Sequence, residues 1–208
     1  MQLDHKYVLR DEKELSEHYG KGNDASLAKE VNFLHQHYQR FVEASTYVVL
    51  ASAGPGGLDA SPRGDTAGFV KIADENTLLI PDRAGNNRVD TLHNLVNDPR
   101  IGLLFLIPGI GESLRVNGTV RISIAPDLLD RFIVQGKRPR SVLVIHVETA
   151  YFQCPRAAVR ADLWNPDKFV NRTALPSSGT ILADLSGRRL GGAEWDRTRE
   201  ETVRATLY

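Results

Sequence analysis

Apolar residues along the chain change their spacing several times, and each change predicts a new element. From Ser26 they recur every three or four residues, which predicts a helix that ends near Ala44. The next apolar runs, at 46–52, 58–72 and 77–82, are extended in character and are separated by the turn sequences AGPGG and ADEN. Successive antiparallel strands are predicted there.

The second half of the chain repeats this alternation. A helix that begins around Asn87 ends before Asp98-Pro99, because proline disfavours helical backbone at the preceding residue. Extended runs follow at 100–109, 113–124 and 141–155, with a helix from Pro126 to Ile133 before the last of them. A phase slip at Asn117-Gly118 predicts a β-bulge. Residues 165–191 are predicted as loop, and the stretch GGAEWDRTREETVRATLY as a helix.

This order of elements predicts the fold class. Six mostly antiparallel strands joined by short turns favour a closed or nearly closed barrel, since a parallel sheet needs a crossover after each strand. The chain is therefore predicted to be mainly β with peripheral helices. We assign an N-terminal arm to 1–25, the barrel domain to 26–164, and a C-terminal extension, whose terminal helix packs on the barrel, to 165–208.

Composition narrows the classes of function. Lysine and arginine number 26, as do aspartate and glutamate, so no overall field favours nucleic acid or an anionic membrane. The single cysteine, Cys154, fits a reducing compartment, and the N-terminal residues lack the apolar stretch of a signal peptide. Apolar runs stay well below the roughly 20 residues of a membrane span. We expect a soluble cytoplasmic protein that binds neither nucleic acid nor membrane.

The segment PDRAGNNR (81–88) concentrates polar residues between a predicted strand and a predicted helix. Arg83 and Arg88 flank the tripeptide Gly85-Asn86-Asn87. Free backbone N–H groups at a helix N-terminus and the forked donors of arginine both suit phosphate. The alternative is ordinary surface chemistry, in which asparagine caps the helix and two arginines are solvated.

A second polar segment, SPRGD (61–65), favours the phosphate site over ordinary surface chemistry. Ser61 and Arg63 share one face of a predicted strand. If the hairpin 58–82 turns at 73–76, this strand lies in the same sheet as Asp82 and Arg83. The two basic segments, 61–65 and 81–88, are then predicted to lie close together.

These segments resemble a known family. SPRGD…GFVKI, LLIPDRAGNNRVDTLHNLVNDPRIGLLFLIPG, LRVNGTV and YFQCPRAAVRADLW resemble the pyridoxamine 5'-phosphate oxidase-like, FMN-binding split-barrel superfamily, in its predicted flavin-nucleotide-binding branch. The resemblance covers roughly residues 30 to 165. It implies a six-stranded antiparallel split β-barrel that forms a homodimer, binds FMN at the subunit interface and acts on a small-molecule substrate.

The resemblance also implies a cofactor site. The phosphate is assigned to Arg63, Arg83, Asn87 and Arg88, and the flavin ring to the strand of Phe69, Val70 and Lys71. Asn87 replaces one residue of the family's basic pair, and Pro81-Asp82 replaces an aromatic-threonine pair. Ser113 and Arg115 match a segment that reaches the neighbouring subunit. The implied cofactor-binding residues are Ser61, Arg63, Phe69, Val70, Lys71, Pro81, Asp82, Arg83, Asn87, Arg88, Ser113 and Arg115.

The activity implied is that of an FMN-dependent oxidoreductase whose substrate the sequence leaves open. It either reduces a small electrophile with a nicotinamide donor or oxidises an amine with oxygen, and no residue stands out as a general base. The family's substrate-phosphate residues lack a clear counterpart, so pyridoxamine phosphate oxidation is not implied. Alternatives are a non-catalytic flavin carrier or sensor, and a barrel that binds a deazaflavin or haem, with His93 or His146 as the axial ligand.

Other polar and aromatic residues are interpreted as structural. The histidines are scattered, so no metal site is predicted. The basic run at 137–140 is interpreted as a solvated loop, or as a patch that steers an anionic substrate. Trp195 and Tyr208 are expected to pack the C-terminal helix down rather than to cover a cofactor. Arg156, Arg160 and Trp164 receive no role.

Overall fold

Seven β-strands form one antiparallel sheet in the computed structural model, which describes residues 1–85 and 87–208. Asn86, the centre of the Gly-Asn-Asn tripeptide, lies outside the described residues. The strands are β1 (Tyr47–Gly54), β2 (Gly57–Gly64), β3 (Lys71–Asp74), β4 (Thr77–Asp82), β5 (Arg100–Leu106), β6 (Ser113–Ser123) and β7 (Ser141–Gln153). Across the sheet their order is β2-β1-β5-β6-β7-β4-β3.

The prediction of a single strand over 58–72 is wrong. β2 ends at Gly64, the chain leaves the sheet over 65–70, and β3 starts at Lys71 on the opposite edge. Gly68 has a φ of +80°, which side-chain-bearing residues rarely adopt, while Phe69 and Val70 enter the core. In place of the predicted six-stranded, closed or nearly closed barrel, the structure has a seven-stranded open sheet.

The sheet nevertheless curls. β2 is one edge strand and β4 lies next to the other edge, yet the Arg63 and Asp82 side chains approach to 3.4 Å between Nη2 and Oδ1. Inward-facing apolar residues of successive strands fill the concave side, as the two-residue period of a strand requires. Fully buried members include Val48, Leu50, Phe105, Leu114, Val116 and Ile145. Each contributes about 1.5–3 kcal/mol through burial.

The bulge predicted at Asn117-Gly118, which lies in β6, is confirmed. The register between β6 and β7 shifts between Asn117 and Gly118. A Cβ atom built at Gly118 would lie 1.9 Å from the His146 carbonyl oxygen, so only glycine fits there.

Helices lie around the sheet, with bounds that differ from the predicted ones. They are α1 (Glu12–Tyr19), α2 (Asp24–Ala28), α3 (Gln36–Ala44), α4 (Asp90–Asn97), α5 (Pro126–Asp130), α6 (Arg156–Arg160), α7 (Ser178–Leu185) and α8 (Ala193–Ala205). The predicted end near Ala44 is confirmed, but the chain between Ala28 and Gln36 is not helical. α7 lies where loop was predicted. Across the described ranges, every helix is too short or too polar to cross a membrane.

Candidate functional site

Two ion pairs bridge the ends of β2 and β4. Arg63 Nη2 lies 3.4 Å from Asp82 Oδ1, and Arg83 Nε lies 2.6 Å from Asp65 Oδ2. The exposed fractions of these side chains are 12% for Arg63, 3% for Asp82, 16% for Arg83 and 5% for Asp65. Each strand end thus supplies one cation and one anion to the other, and the four charges are fixed in place.

The alternation of β2 orients its polar residues inward. Ser61 and Arg63 stand opposite Leu50 and Val48 of β1, which are fully buried. Arg63 Nη1 donates to Ser61 Oγ at 2.7 Å and to the Pro62 carbonyl at 3.0 Å. Its Nε is buried and has no hydrogen-bond partner among the described residues. The guanidinium is therefore fixed on one side and has an unused donor.

A cavity of about 940 Å³ lies beside these ion pairs. Its volume is in the range of ligand pockets. Of the predicted cofactor residues, those that line it are Ser61, Arg63, Phe69, Pro81, Arg83 and Asn87. Asp82 pairs with Arg63 without lining the cavity itself. Half of the predicted set therefore converges on one space.

The C-terminal segment supplies another wall of the cavity. The Tyr208 hydroxyl donates to Asp65 Oδ1 at 2.6 Å, and its ring centre lies 5.0 Å from the guanidinium carbon of Arg83. Lys137 Nζ donates to the Tyr208 main-chain oxygen at 2.6 Å. Trp195, which also lines the cavity, and Tyr208 thus do more than the packing expected from the sequence.

The two carboxylates respond to this environment in opposite ways. Burial opposes ionisation of Asp65, but hydrogen bonds from Tyr208, the Thr66 N–H and Arg83 outweigh it and hold the Asp65 pKa below its usual value. For Asp82 burial prevails over the attraction of Arg63 and Arg140, so its pKa is raised. Asp65 is thus the more firmly ionised of the two.

The arginines near the cavity outnumber these carboxylates. Arg140 and Arg199 line the space together with Arg63 and Arg83, and the Arg140 N–H donates to the Asp82 carbonyl oxygen at 2.9 Å. Four guanidinium groups and two largely buried carboxylates give the site an excess of positive charge. It therefore suits an anionic ligand.

Arg88 is not brought to this cavity. Its side chain is 86% exposed, and Nε lies 2.6 Å from Asp90 Oδ2. It lines a separate cavity of about 350 Å³ that also includes His93. The expected helix start at Asn87 is wrong, because α4 begins at Asp90 and Val89 precedes it with a φ of 51°. Asp90, in the first turn, places a negative charge at the helix N-terminus that was predicted to hold phosphate, which disfavours an anion there.

Four further predicted residues lie elsewhere. Val70 is buried in the core, and Lys71 Nζ donates to the Arg131 carbonyl and lies 5.0 Å from the Phe132 ring centre. Ser113 is paired with Gln153 in the sheet, and Arg115 donates to the Tyr151 hydroxyl at 2.9 Å. None of these four lines the large cavity within this single chain.

Several cavity residues were not predicted. Asp65 stands two positions after Arg63, so the SPRGD motif carried a signal for it. Arg140 belongs to the basic run that was interpreted as solvated or steering. Tyr208 is separated from Asp65 by 143 residues, and no local pattern indicates that contact.

None of the described residues that line the large cavity is a histidine. His93 borders the small one, and His146 is exposed on β7. In the described ranges, no three histidine, cysteine, aspartate or glutamate residues are grouped so that they could hold a metal ion.

Residues 34–154 match the sequence profile of pyridoxamine 5'-phosphate oxidase. The match spans more than half of the chain and includes all seven strands. The chain belongs to the pyridoxamine 5'-phosphate oxidase family. The matched segment lies within the predicted barrel domain and ends before α7 and α8, so the C-terminal wall of the cavity is outside it.

Several solved structures match this chain at low sequence identity. HupZ of Group A Streptococcus is 16% identical with a TM-score of 0.47, and covers 56% of this chain and 90% of its own. A Clostridium acetobutylicum protein related to general stress protein 26 is 13% identical, with a TM-score of 0.44 and coverage of 56% and 85%. General stress protein 26 of Bacillus anthracis is 14% identical, with a TM-score of 0.38 and coverage of 55% and 88%. No curated protein matches significantly.

Proposed function

We propose that this member of the pyridoxamine 5'-phosphate oxidase family binds FMN in the large cavity and is an FMN-dependent oxidoreductase. The observation that carries the proposal is the pair of largely buried guanidinium groups, Arg63 and Arg83, that line a cavity of about 940 Å³. Such fixed cations suit the phosphate of a nucleotide cofactor.

The residues that line the cavity suit both parts of FMN, its phosphate and its flavin ring. Arg63 keeps a buried Nε without a partner among the described residues, and Arg83, Asn87 and Arg140 add further donors. Arg88 would have to leave Asp90 to join them. Phe69, Pro81 and Trp195 offer nonpolar surface for the flavin ring.

When bound, FMN supplies the transfer of an electron pair or hydride. The chain's own residues bind and orient it. Asp65 and Asp82 hold the two arginines, so the phosphate would meet donors that are already positioned. α8 and Tyr208 form one wall of the cavity.

The proposed assembly is a homodimer with the site at the subunit interface. The outer face of β2, β1 and β5 carries small and apolar residues in register, with Pro62 beside Val49 and Val49 beside Leu104. Arg115 continues this row on β6, next to Leu104. A second copy of the chain on this face would bring Arg115 of each subunit next to the other subunit. Sedimentation should give a dimer mass, and a monomer mass would contradict the shared site.

A second candidate is an FMN carrier or sensor without turnover. Asp65 and Asp82, the carboxylates nearest the cavity, are both held in ion pairs. Both carboxylates therefore serve to position arginines, which favours binding without catalysis. Steady-state oxidation of NADH or NADPH with an added acceptor would exclude this candidate.

The first test is the visible absorption spectrum of the concentrated protein, followed by the mass of the released chromophore. Flavin bands and the mass of FMN are expected. A Soret band would instead indicate haem, and the mass of a deazaflavin would indicate that cofactor. Colourless protein that takes up no added FMN would contradict the proposal.

A further inference from the structure

Helix α8 is held at both ends by polar contacts. At its N-terminal end, Asp196 accepts hydrogen bonds from the Ser177 hydroxyl and from the Gly179 N–H at 2.8 Å. At the other end, Tyr208 contacts Asp65 and Arg83. The helix therefore spans from the α7 junction to the ion pairs of the site.

Between these ends, one face of α8 lines the cavity. The lining residues of this face follow helical spacing and are Trp195, Arg199, Thr202, Val203 and Thr206 just beyond the helix. None of the residues of α8 is buried. Because its cavity face borders empty space rather than a packed core, its attachment depends strongly on its two ends.

The two attachments differ in kind. At the α7 junction, a Cβ atom at Gly179 would lie 2.5 Å from the Gly192 carbonyl oxygen, so the backbones are closely packed. Gly191 and Gly192 have φ values of +82° and +89°, which suit glycine. At Tyr208 the hydroxyl bonds to a carboxylate and the ring faces a guanidinium, both of which can exchange with water or ligand. The first attachment resembles a pivot and the second a latch.

Tyr208 also acts on the ion pair itself. Asp65 Oδ2 accepts from Arg83, while Oδ1 accepts from the Tyr208 hydroxyl, and the tyrosine ring lies beside the Arg83 guanidinium. The same residue therefore contacts both members of the pair that lines the cavity. Removal of the Tyr208 hydroxyl should make the Asp65 carboxylate less fixed in position, and therefore also the Arg83 guanidinium that is bound to it.

We propose that Tyr208 is a positioning residue of the ligand site, which holds the Asp65–Arg83 pair and latches α8 as a wall of the cavity. This inference rests on the proposed function, because FMN is the ligand used to test it. Release of the ligand then requires Tyr208 to detach and α8 to turn about the junction at Gly191 and Gly192.

The test compares wild-type protein with Tyr208→Phe, which keeps the ring and removes the hydroxyl. FMN dissociation, followed by recovery of flavin fluorescence on dilution, should become about tenfold faster, since a hydrogen bond to a charged group is lost. Hydrogen exchange in the ligand-free proteins should become faster over 193–205 and stay unchanged over 178–185. Tyr19→Phe, in exposed α1, is the control and should match wild type.

Other outcomes would contradict the latch or the proposed function on which it rests. Unchanged dissociation together with unchanged exchange would overturn the latch. Tighter FMN binding by Tyr208→Phe would also overturn it, because the tail would then be a competitor for the site. If wild-type protein binds no FMN, the proposed function fails, and the exchange comparison still decides whether Tyr208 holds α8.

Discussion

Two cavities lie at opposite ends of β2, and both contain arginine and aspartate. In the large one, Arg63 and Arg83 pair with carboxylates 19 and 18 residues away, and all four side chains are largely buried. In the small one, Arg88 pairs with Asp90 two residues away and is exposed to water. Exposed local pairs contribute little, whereas buried pairs between elements fix their charges. The residue types that line the two cavities therefore do not distinguish them, whereas the burial and sequence separation of the ion pairs do.

The other contacts of the small cavity join α4 to the sheet. The Thr91 hydroxyl donates to Asp59, and Asn94 Nδ2 donates to Ser52 Oγ at 3.2 Å. A Cβ atom at Gly54 would lie 2.4 Å from Asn94 Oδ1, so the helix approaches the strand at a glycine. We interpret this cavity as a packing junction, in contrast to the large one.

The largest effect is expected when a buried pair loses its cation. Arg63→Leu leaves Asp82 buried beside fewer charges, so the free energy of unfolding should fall by about 3–5 kcal/mol. Urea denaturation at pH 7 measures it. Arg88→Leu is the matched control and should change the same quantity by less than about 1 kcal/mol. Equal losses in the two variants would remove the distinction between the cavities.

A second prediction separates the two carboxylates by pH. The folded-state pKa of Asp65 is lowered. Its contribution to the free energy of unfolding is therefore present above the usual value of 3.8 and is lost as the pH falls through the folded pKa. The folded-state pKa of Asp82 is raised, so its contribution to the same free energy is present below 3.8 and is lost as the pH rises through the folded pKa.

The two asparagine variants should therefore respond in opposite directions. As the pH rises through the acid range, the stability advantage of wild type over Asp65→Asn should grow, and that over Asp82→Asn should shrink. At pH 7 we expect Asp65→Asn to cost about 1.5–3 kcal/mol, the range for hydrogen bonds to a charged group. Urea denaturation at several pH values checks both slopes, and slopes of the same sign would contradict the assignment.

The third prediction concerns ligand affinity. Arg83→Ala should weaken FMN binding by about 1.5–3 kcal/mol, because a positioned charged donor is lost. Titration of the apoprotein by flavin fluorescence measures the dissociation constant. The circular dichroism spectrum should stay unchanged, which separates lost binding from unfolding. A wild-type dissociation constant in this variant would show that Arg83 does not hold the phosphate.

Local patterns predicted much of the sheet because strand periodicity and turn residues act over short distances. The bulge at Asn117-Gly118 and the helix end at Ala44 are examples. The break within 58–72 was not predicted, since it depends on distant partners, with Asp65 bonded to Arg83 and Tyr208. α7 was missed because its apolar stretch is short and lies in a segment rich in turn residues.

The site was predicted in part for the same reason. Arg63 and Arg83 stood out as polar residues at strand ends, and both line the large cavity. Arg88 looked equivalent in the sequence, because only the structure shows that it points to Asp90 and another cavity. Tyr208 is brought in by the fold of the C-terminal segment, which no local pattern indicates.

The smallest expected effect tests this last contrast directly. Arg88→Ala should change FMN affinity by less than about 0.5 kcal/mol, because its exposed pair with Asp90 is weak and its side chain lies outside the large cavity. The same fluorescence titration used for Arg83→Ala measures it. A loss as large as that of Arg83→Ala would mean that Arg88 leaves Asp90 when FMN binds. The two cavities would then be joined by one arginine, and the original phosphate assignment would regain its fourth residue.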